Sequence, residues 1–212
     1  MDPNEVRRQW EERSGEFSPE YYAYYGQNET SESIRRILER RVGPDAAVLE
    51  LGCGPGRHLS CLHEHGFSNL SGVDINDRAF EVMEDTYPDL AARGTFYADA
   101  IEDVVDTFDD RHFDAIFSVE TLQHIHPDDG WIFEELARIT DELLVTVENE
   151  GDEHRRPSEP AVNYIDGDFP LYYRNWGRVF AALGFVEVET ERGERDTLRA
   201  FRSPEERASR SE

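Results

Sequence analysis

Short apolar runs and amphipathic stretches alternate along most of the chain. The apolar runs are AAVLEL at 46–51, LSGVDI at 70–75, TFYADA at 95–100, FDAIFSV at 113–119 and ELLVTVEN at 142–149. Helical spacing of apolar residues separates several of these runs, over residues 57–65, 77–87 and about 128–139. Strands that alternate with helices in this way predict βαβ units and a mostly parallel sheet with helices on both faces.

Both ends of the chain depart from this alternation. Before the first strand, residues 3–14 and 30–42 show helical patterns, which predict an N-terminal helical cap over residues 1–45. After the fifth strand we expect a helix near 171–183 and two strands, FVEVET and TLRAFR, joined by a short polar turn. These two strands must pair antiparallel or lie apart, because a parallel crossover needs about a dozen residues. The main domain is predicted to span residues 46–202, followed by a polar tail at 203–212.

The composition is that of a folded domain with a highly charged surface. The chain has 212 residues, of which 38% are hydrophobic and 33% charged. No run approaches the roughly 18 apolar residues of a membrane-spanning helix, and the first residues lack the apolar segment of a signal peptide. Two cysteines supply neither a disulfide framework nor a four-ligand zinc site. We therefore expect a cytoplasmic protein with no membrane span and no metal.

The charge balance is strongly acidic. There are 47 Asp and Glu residues against 22 basic residues, which gives a net charge of -25, and every basic residue is Arg. This composition resembles that of proteins from salt-accumulating archaea; an ordinary acidic protein from an organism with an Arg-biased genome is the alternative. Phosphate neutralisation needs a basic surface, so the acidity argues against nucleic-acid binding.

The most informative motif is VLELGCGPGRHL, at residues 48–59. An apolar strand runs into Gly52, Gly54 and Gly56, a turn whose backbone N–H groups can approach a ligand closely. The dinucleotide-binding spacing is G-x-G-x-x-G, and here Arg57 holds the sixth position, which disfavours a dehydrogenase. At the end of the second strand, Asp74 follows Gly52 by about the separation of an acid that binds ribose hydroxyls; a turn or helix cap is its alternative role.

Four motifs in order carry a family resemblance: VLELGCGPGRHL, GVDIN, FYADAIED and FDAIFSVETLQHI. Over residues 46–149 they resemble the motifs of class I S-adenosylmethionine-dependent methyltransferases. The resemblance implies an α/β fold with a seven-stranded, mostly parallel, doubly wound sheet and an antiparallel C-terminal strand. It also implies S-adenosylmethionine as the cofactor.

The resemblance assigns a cofactor-binding set at the carboxyl ends of the first four strands. Its members are Glu50, Gly52, Cys53, Gly54 and Gly56 for the methionine part, Asp74 for the ribose, Ile75, Asp99 and Ala100 for adenine, and Ser118 at the end of the fourth strand. Asp99 has an alternative role as the cap of a short helix that starts near Ile101.

The segment after the fourth strand carries the candidate catalytic residues, His124 and Glu120. A base is needed only if the acceptor is protonated at the working pH, and the ordinary pKa of histidine makes His124 the better candidate. Its alternative role is a hydrogen bond that shapes the loop. His124 and His126 alternate like a metal-binding pair, but no third ligand follows at suitable spacing.

Substrate recognition is expected from whatever encloses this site. Residues 150–170 have no clear periodicity and lie where a lid would lie, and they include Arg155 and Arg156, which suit carboxylate or phosphate recognition. Tyr21, Tyr25 and Tyr172 could stack on a substrate; a solvated loop and core packing are the alternatives.

The expected function is methyl transfer to a small molecule, with an acidic sugar or a carboxylic acid preferred. The alternatives are an RNA or protein methyltransferase, and a non-catalytic, cofactor-binding regulatory subunit. The oligomeric state is not predicted by any feature of the sequence.

The charge predicts a salt-dependent stability. We expect the melting temperature to rise steeply as KCl increases from about 0.1 M to about 2 M, because the Debye length falls from about 10 Å to a few Å and self-repulsion is screened. Calorimetry across a KCl series measures this. A flat or falling curve would contradict the salt-adapted interpretation.

Overall fold

A computed structural model of the chain describes residues 2–151, 162–165 and 169–204. Its strands, in chain order, are β1 Ala47–Leu51, β2 Asn69–Asp74, β3 Thr95–Ala98, β4 Phe113–Val119, β5 Thr140–Glu148, β6 Val162–Ile165, β7 Phe169–Tyr172, β8 Val186–Arg192 and β9 Thr197–Arg202. Seven of these strands form one sheet, and β6 and β7 form a separate two-stranded hairpin.

The large sheet has the order β3-β2-β1-β4-β5-β9-β8. β1 to β5 pair parallel, whereas β9 pairs antiparallel with both β5 and β8. The predicted seven-stranded sheet with an antiparallel C-terminal strand is confirmed, as is the antiparallel pairing of the last two strands. The strand order reverses between β1 and β4, which is where open α/β sheets bind ligands.

Nine α-helices are present in the described part of the chain. They are α1 Pro3–Glu11, α2 Pro19–Tyr25, α3 Glu29–Arg41, α4 Arg57–Glu64, α5 Arg78–Thr86, α6 Pro88–Arg93, α7 Ile101–Val104, α8 Ile132–Ile139 and α9 Trp176–Ala182. The first three begin at side-chain caps: Asp2, Ser18 and Asn28 each accept a hydrogen bond from a backbone N–H of the first turn. No helix among the described residues has the length and apolar character needed to cross a bilayer.

The predicted helix at 171–183 is wrong in its first part. Residues 169–172 form β7, which pairs antiparallel with β6. The helix begins only at Trp176, because the Asn175 side chain accepts a hydrogen bond from the Arg178 N–H and so caps the first turn. The stretch at 150–170 therefore contains strand residues, and its positions 152–161 and 166–168 lie outside the described residues.

Apolar side chains fill both faces of the sheet, because successive residues of a strand point to opposite sides. On one face, Leu49 and Ile116 pack in a cluster with α8 and α9. On the other face, Val48 and Phe117 pack in a cluster with α3 and α4. Helices on both faces leave the carboxyl ends of the parallel strands as the open edge, and this edge positions the site.

Phe180 is a sensitive position in the first cluster. Its ring is fully buried and lies 5.3 Å from the Phe201 ring and 5.8 Å from the Phe185 ring, measured between centroids. Phe180→Ala should lower the free energy of unfolding by about 3–5 kcal/mol, because it leaves a cavity in a packed core. Urea unfolding measures this. Tyr24→Ala, at a side chain that is 85% exposed, is the control and should change stability by less than about 0.5 kcal/mol.

Candidate functional site

A cavity lies at the carboxyl ends of β1, β2 and β4, beneath α1 and α2. The predicted site residues that line it are Glu50, Gly52, Cys53, Gly54, Asp74, Ile75, Ala100, Glu120 and His124. Side chains from the segment that precedes β1 cover the cavity, among them Trp10, Arg13, Phe17 and Tyr22. The topology therefore brings most of the predicted cofactor set and both candidate catalytic residues into one cavity.

The glycine turn gives the cavity its floor. Gly52 has a φ of +65°, and a Cβ there would lie 2.2 Å from Thr121 Oγ1, so a larger residue would displace the loop after β4. Gly54 has a φ of +51°, and a Cβ there would meet no atom within 4 Å. Its backbone is therefore open on that side to a ligand. Gly56 does not line the cavity; it packs against Met83 of α5.

Asp74 ends β2 with both carboxylate oxygens engaged by the backbone. Its Oδ2 accepts from the Gly54 N–H at 2.7 Å, and its Oδ1 accepts from the Asn76 N–H at 2.9 Å. Burial raises the pKa of Asp74, and these two hydrogen bonds oppose that rise. Each oxygen keeps acceptor capacity, because a carboxylate has about four lone-pair sites. The group can therefore hold the glycine turn and accept from ribose hydroxyls as well.

Glu50, at the end of β1, is a buried acid with an unused oxygen. Only 1% of the residue is exposed, and its Oε2 has no hydrogen-bond partner in the described part of the chain. Burial raises the pKa of Glu50 well above its usual value, while the nearby Arg57 opposes the rise. A buried acceptor without a partner is costly, so this position fits a ligand that brings a donor, such as an ammonium group.

Arg57 follows the glycine turn and faces the same cavity. Its guanidinium lies 4.8 Å from the centroid of the Tyr22 ring, and its Nε donates to Nε2 of His58 at 3.2 Å. Nδ1 of His58 lies 2.8 Å from Oγ of Ser31, in the cap of α3. Since Arg can only donate, His58 carries its proton on Nδ1, and burial lowers its pKa well below the usual value. This chain of contacts joins α2, α3 and α4 at the cavity wall.

The loop after β4 is held by Glu148 at the end of β5. Oε1 of Glu148 accepts from the Ser118 hydroxyl at 2.6 Å and from the N–H groups of Thr121 and Leu122 at 3.2 and 3.1 Å. Oε2 accepts from the Gln123 N–H at 3.2 Å. Burial raises the pKa of Glu148 to about 7, in spite of these four hydrogen bonds. Ser118 was expected in the cofactor set, but it is fully buried beneath the loop and does not line the cavity.

Arg174 holds the same loop by its carbonyl groups. Its guanidinium donates to the carbonyl oxygen of Ile125 at 2.6 Å and to that of Leu122 at 3.4 Å. Burial lowers the pKa of Arg174 to about 10, so the group stays charged at neutral pH. Its flat face lies near the rings of Phe133 and Trp176, 5.3 and 5.7 Å from their centroids. Sequence reasoning missed Arg174 and Glu148.

His124 lies at the end of this loop. Its Nδ1 is 3.1 Å from the carbonyl oxygen of Pro170 in β7, and its ring meets the indole of Trp10 edge to face at 4.5 Å. Burial lowers the pKa of His124 to about 4, so the imidazole is neutral at pH 7. Nε1 of Trp10 is itself buried without a partner among the described residues. His124 is positioned by this hydrogen bond and by its contact with Trp10, and neither ring forms an ion pair among the described residues.

Glu120, the other candidate base, forms an ion pair. It adopts a φ of +50°, which is strained for a residue with a side chain, and its carboxylate contacts the guanidinium of Arg195 in the turn between β8 and β9. Arg195 also pairs with Asp196 at 3.5 Å. Glu120 and Arg195 both line the cavity, and the charge of Glu120 is compensated there.

The remaining predicted site residues that the structure describes do not line the cavity. Tyr21 and Tyr25 contact each other with tilted rings outside its lining, and Tyr172 is buried with its ring edge to face with that of His126. Asp99 accepts from the N–H of Ala100 at 2.9 Å and also does not line it. Tyr22 lines the cavity instead, and the capping signal Ser18-Pro19, which starts α2, could have placed it. Arg155 and Arg156 lie outside the described residues.

Comparisons with known proteins agree with this geometry. Residues 48–142 match a family model described as a methyltransferase domain. The fold is similar to that of a Burkholderia thailandensis 1,6-didemethyltoxoflavin-N1-methyltransferase, crystallised with 1,6-didemethyltoxoflavin and S-adenosylhomocysteine: the TM-score is 0.71 and the identity 16%, over 97% of this chain and 92% of the other. It is also similar to a Synechocystis magnesium protoporphyrin IX methyltransferase with bound S-adenosylmethionine, with a TM-score of 0.60 and 17% identity, over 94% and 89%.

A curated relative matches a shorter stretch. EEF1A lysine methyltransferase 2 of Danio rerio is 36% identical over 59 residues, which are 28% of this chain. The match covers 25% of the length of that relative.

Residues 48–142 match a methyltransferase domain, and the fold is shared with methyltransferases that were crystallised with S-adenosylmethionine or S-adenosylhomocysteine. Both findings agree with the predicted resemblance and with S-adenosylmethionine as the predicted cofactor.

Asp74 provides a direct test of cofactor binding. Asp74→Ala should weaken S-adenosylmethionine binding at least tenfold, because each charge-assisted hydrogen bond to ribose contributes about 1.5–3 kcal/mol. Isothermal titration calorimetry measures the affinity, and Asp85→Ala, at an exposed position of α5, is the control. Equal affinity in the two variants would exclude Asp74 from the cofactor site.

Glu148 provides a test of the loop. Glu148→Gln places an amide NH₂ among N–H donors, and we expect it to cost about 1–3 kcal/mol of stability. Because the pKa of Glu148 is higher in the folded state than in the unfolded state, the wild-type carboxyl group takes up a proton on folding. Its contribution to the free energy of unfolding therefore falls as pH rises from about 4.5 to about 7. The stability gap between wild type and variant should therefore narrow from pH 5 to pH 8.

Chemical denaturation across this pH range measures the gap. Glu142→Gln is the matched control, because it makes the same substitution at an exposed position of the same strand. A gap that widens with rising pH would contradict the assigned direction of the Glu148 pKa.

Proposed function

We propose that the protein transfers a methyl group from S-adenosylmethionine to a small-molecule acceptor bound beneath its N-terminal helices. The observation that carries this proposal is the cover over the cavity. Trp10, Arg13, Phe17 and Tyr22, all from the segment before the sheet, line the space above His124 and the glycine turn. An acceptor that reacts there has to fit between this segment and the strand ends.

Polar contacts tie the covering segment to the domain. Arg7 of α1 forms ion pairs with Glu102 and Asp129, both at 3.3 Å. The Asn76 side chain donates to the backbone carbonyl oxygens of Trp10 and Arg13, at 3.4 and 3.2 Å. A large acceptor would have to displace these contacts. The arrangement therefore favours a small acceptor over RNA or a folded protein.

The residues present fit the cofactor. In this proposal Glu50 pairs with the ammonium group, the glycine turn and Asp74 hold the backbone and ribose parts, and Ile75 and Ala100 lie toward adenine. When bound, S-adenosylmethionine supplies an electrophilic methyl group on a positively charged sulfur. The protein's own contribution is to align the acceptor, because positioning at near-attack distance can supply most of the rate acceleration.

An acidic acceptor has less support than the sequence suggested. Arg155 and Arg156 are outside the described residues, and two of the arginines at the cavity, Arg7 and Arg195, are paired with acids. We therefore propose a small acceptor without restriction to acidic sugars or carboxylic acids. The toxoflavin-type substrate bound by the Burkholderia structure is a precedent for a small molecule on this fold.

Protein methylation is the second candidate. The observation that favours it is the 59-residue match to a lysine methyltransferase. In this case the segment before the sheet would have to open or bind a short peptide.

Labelled transfer decides between these functions. The purified protein is incubated in high salt with S-adenosylmethionine labelled in its methyl group, and with either a metabolite extract or a protein extract. We expect label in a low-molecular-weight product from the first mixture, identified by mass spectrometry. Label only in the protein fraction would support the second candidate. Cofactor binding with no labelled product in either mixture would support a non-catalytic regulatory subunit.

A further inference from the structure

The His124 imidazole is fixed in one tautomer by the β6–β7 hairpin. Its Nδ1 lies 3.1 Å from the carbonyl oxygen of Pro170. A carbonyl oxygen can only accept, so Nδ1 must carry the hydrogen in this contact. In the neutral ring Nε2 then holds a lone pair, and it has no hydrogen-bond partner within the part of the chain that the structure describes.

The surroundings of the ring keep it in this state. Trp10 meets it edge to face at 4.5 Å, and Phe169, next to Pro170, lies 5.2 Å from the Trp10 ring. Addition of a second proton would place a desolvated charge in the protein interior, and burial correspondingly lowers the pKa of His124. His124 therefore presents a hydrogen-bond acceptor to the cavity.

We propose, building on the proposed function, that the methylated group is a neutral N–H or O–H group rather than a carboxylate, because it must donate a hydrogen bond to Nε2 of His124. A carboxylate offers only lone pairs, which would repel the lone pair of Nε2. A donor is attracted instead, and its hydrogen bond turns the lone pair of the same heteroatom away from the histidine.

The proton balance of the reaction agrees with this arrangement. The acceptor heteroatom forms its new bond to the methyl carbon, the carbon–sulfur bond breaks with its electron pair remaining on sulfur, and the acceptor's proton passes to Nε2. A hydroxyl oxygen, or an amide or heteroaromatic nitrogen, that has gained a methyl group while keeping its proton is strongly acidic, whereas an alkylamine would keep its proton as an ammonium group. A weakly basic imidazole is therefore a sufficient proton acceptor late in the step.

The tautomer is tested without any substrate. The full chain is labelled with ¹⁵N-histidine, and long-range ¹H–¹⁵N spectra are recorded at pH 7.5. His124→Gln assigns the His124 signals, and His112→Gln, at an exposed ring outside the cavity, is the matched control. We expect a protonated Nδ1 and an unprotonated Nε2 for His124. A protonated Nε2, alone or together with Nδ1, would overturn the proposal.

The acceptor class is tested on the labelled product by mild alkali. Methyl esters release their label as methanol, whereas N-methyl groups and methyl ethers retain it. Retention supports the proposal, and release overturns it. If no labelled product forms from either extract, the proposed function itself fails, while the tautomer is still decided by the spectra.

Two amide variants separate the hydrogen bond from proton transfer. The Gln side chain places an amide oxygen near the position of Nε2, whereas the Asn side chain keeps only a donor near Nδ1 for Pro170. With the identified acceptor, kcat should fall about 10²–10⁴-fold in both variants. KM should rise more in His124→Asn than in His124→Gln. Unchanged kcat in both would overturn the role of Nε2.

Discussion

The carboxyl group of Glu148 is the group on which the loop after β4, at one side of the cavity, depends. A polar loop can be buried only if its backbone groups find partners, and the loop from Val119 to Ile125 finds them in two opposite charges. Glu148 accepts from its N–H groups and Arg174 donates to its carbonyl groups. The charge of Glu148 also opposes the lowering of the Arg174 pKa by burial.

This arrangement fixes the glycine turn as well as the loop. Thr121 follows immediately after the strained Glu120, and its side chain occupies the space that a Cβ at Gly52 would need. Glycine is therefore needed at position 52 to leave room for the Thr121 side chain, as well as for the approach of a ligand. The Gln123 side chain also accepts a hydrogen bond from the N–H of Asn149. A movement at the end of β5 would therefore displace both the loop after β4 and the glycine turn.

The sequence predicted those parts of the molecule whose signals are local. Apolar runs gave the strands of the large sheet, and the spacing of Gly52, Gly54 and Gly56 gave the ligand turn. Glu148 and Arg174 were missed because their partners lie 25–30 and 49–52 residues away along the chain, and neither stands in a recognisable pattern. The β6–β7 hairpin was missed because its residues show no periodicity that distinguishes them from a loop.

The differences between the predicted site residues and the residues that line the cavity follow from the direction of side chains rather than from the position of the backbone. Ser118 points to the buried side of β4, toward Glu148, whereas the next residue, Val119, lines the cavity, as the alternation of a strand requires. In α2, Pro19 and Tyr22 are three residues apart and share the face toward the cavity, while Tyr21 and Tyr25 share another face.

Charge within the cavity matches the cofactor more closely than it matches an anionic acceptor. Glu50 and Asp74 are both desolvated acids whose pKa values are raised by burial, so each is stabilised by a partner that brings positive charge or hydrogen-bond donors. The ammonium and sulfonium groups of S-adenosylmethionine bring positive charge, and its ribose hydroxyls bring donors. An additional anion beside His124 would share the cavity with these acids, whereas a neutral donor adds no charge and satisfies the one polar atom that the Pro170 contact leaves open.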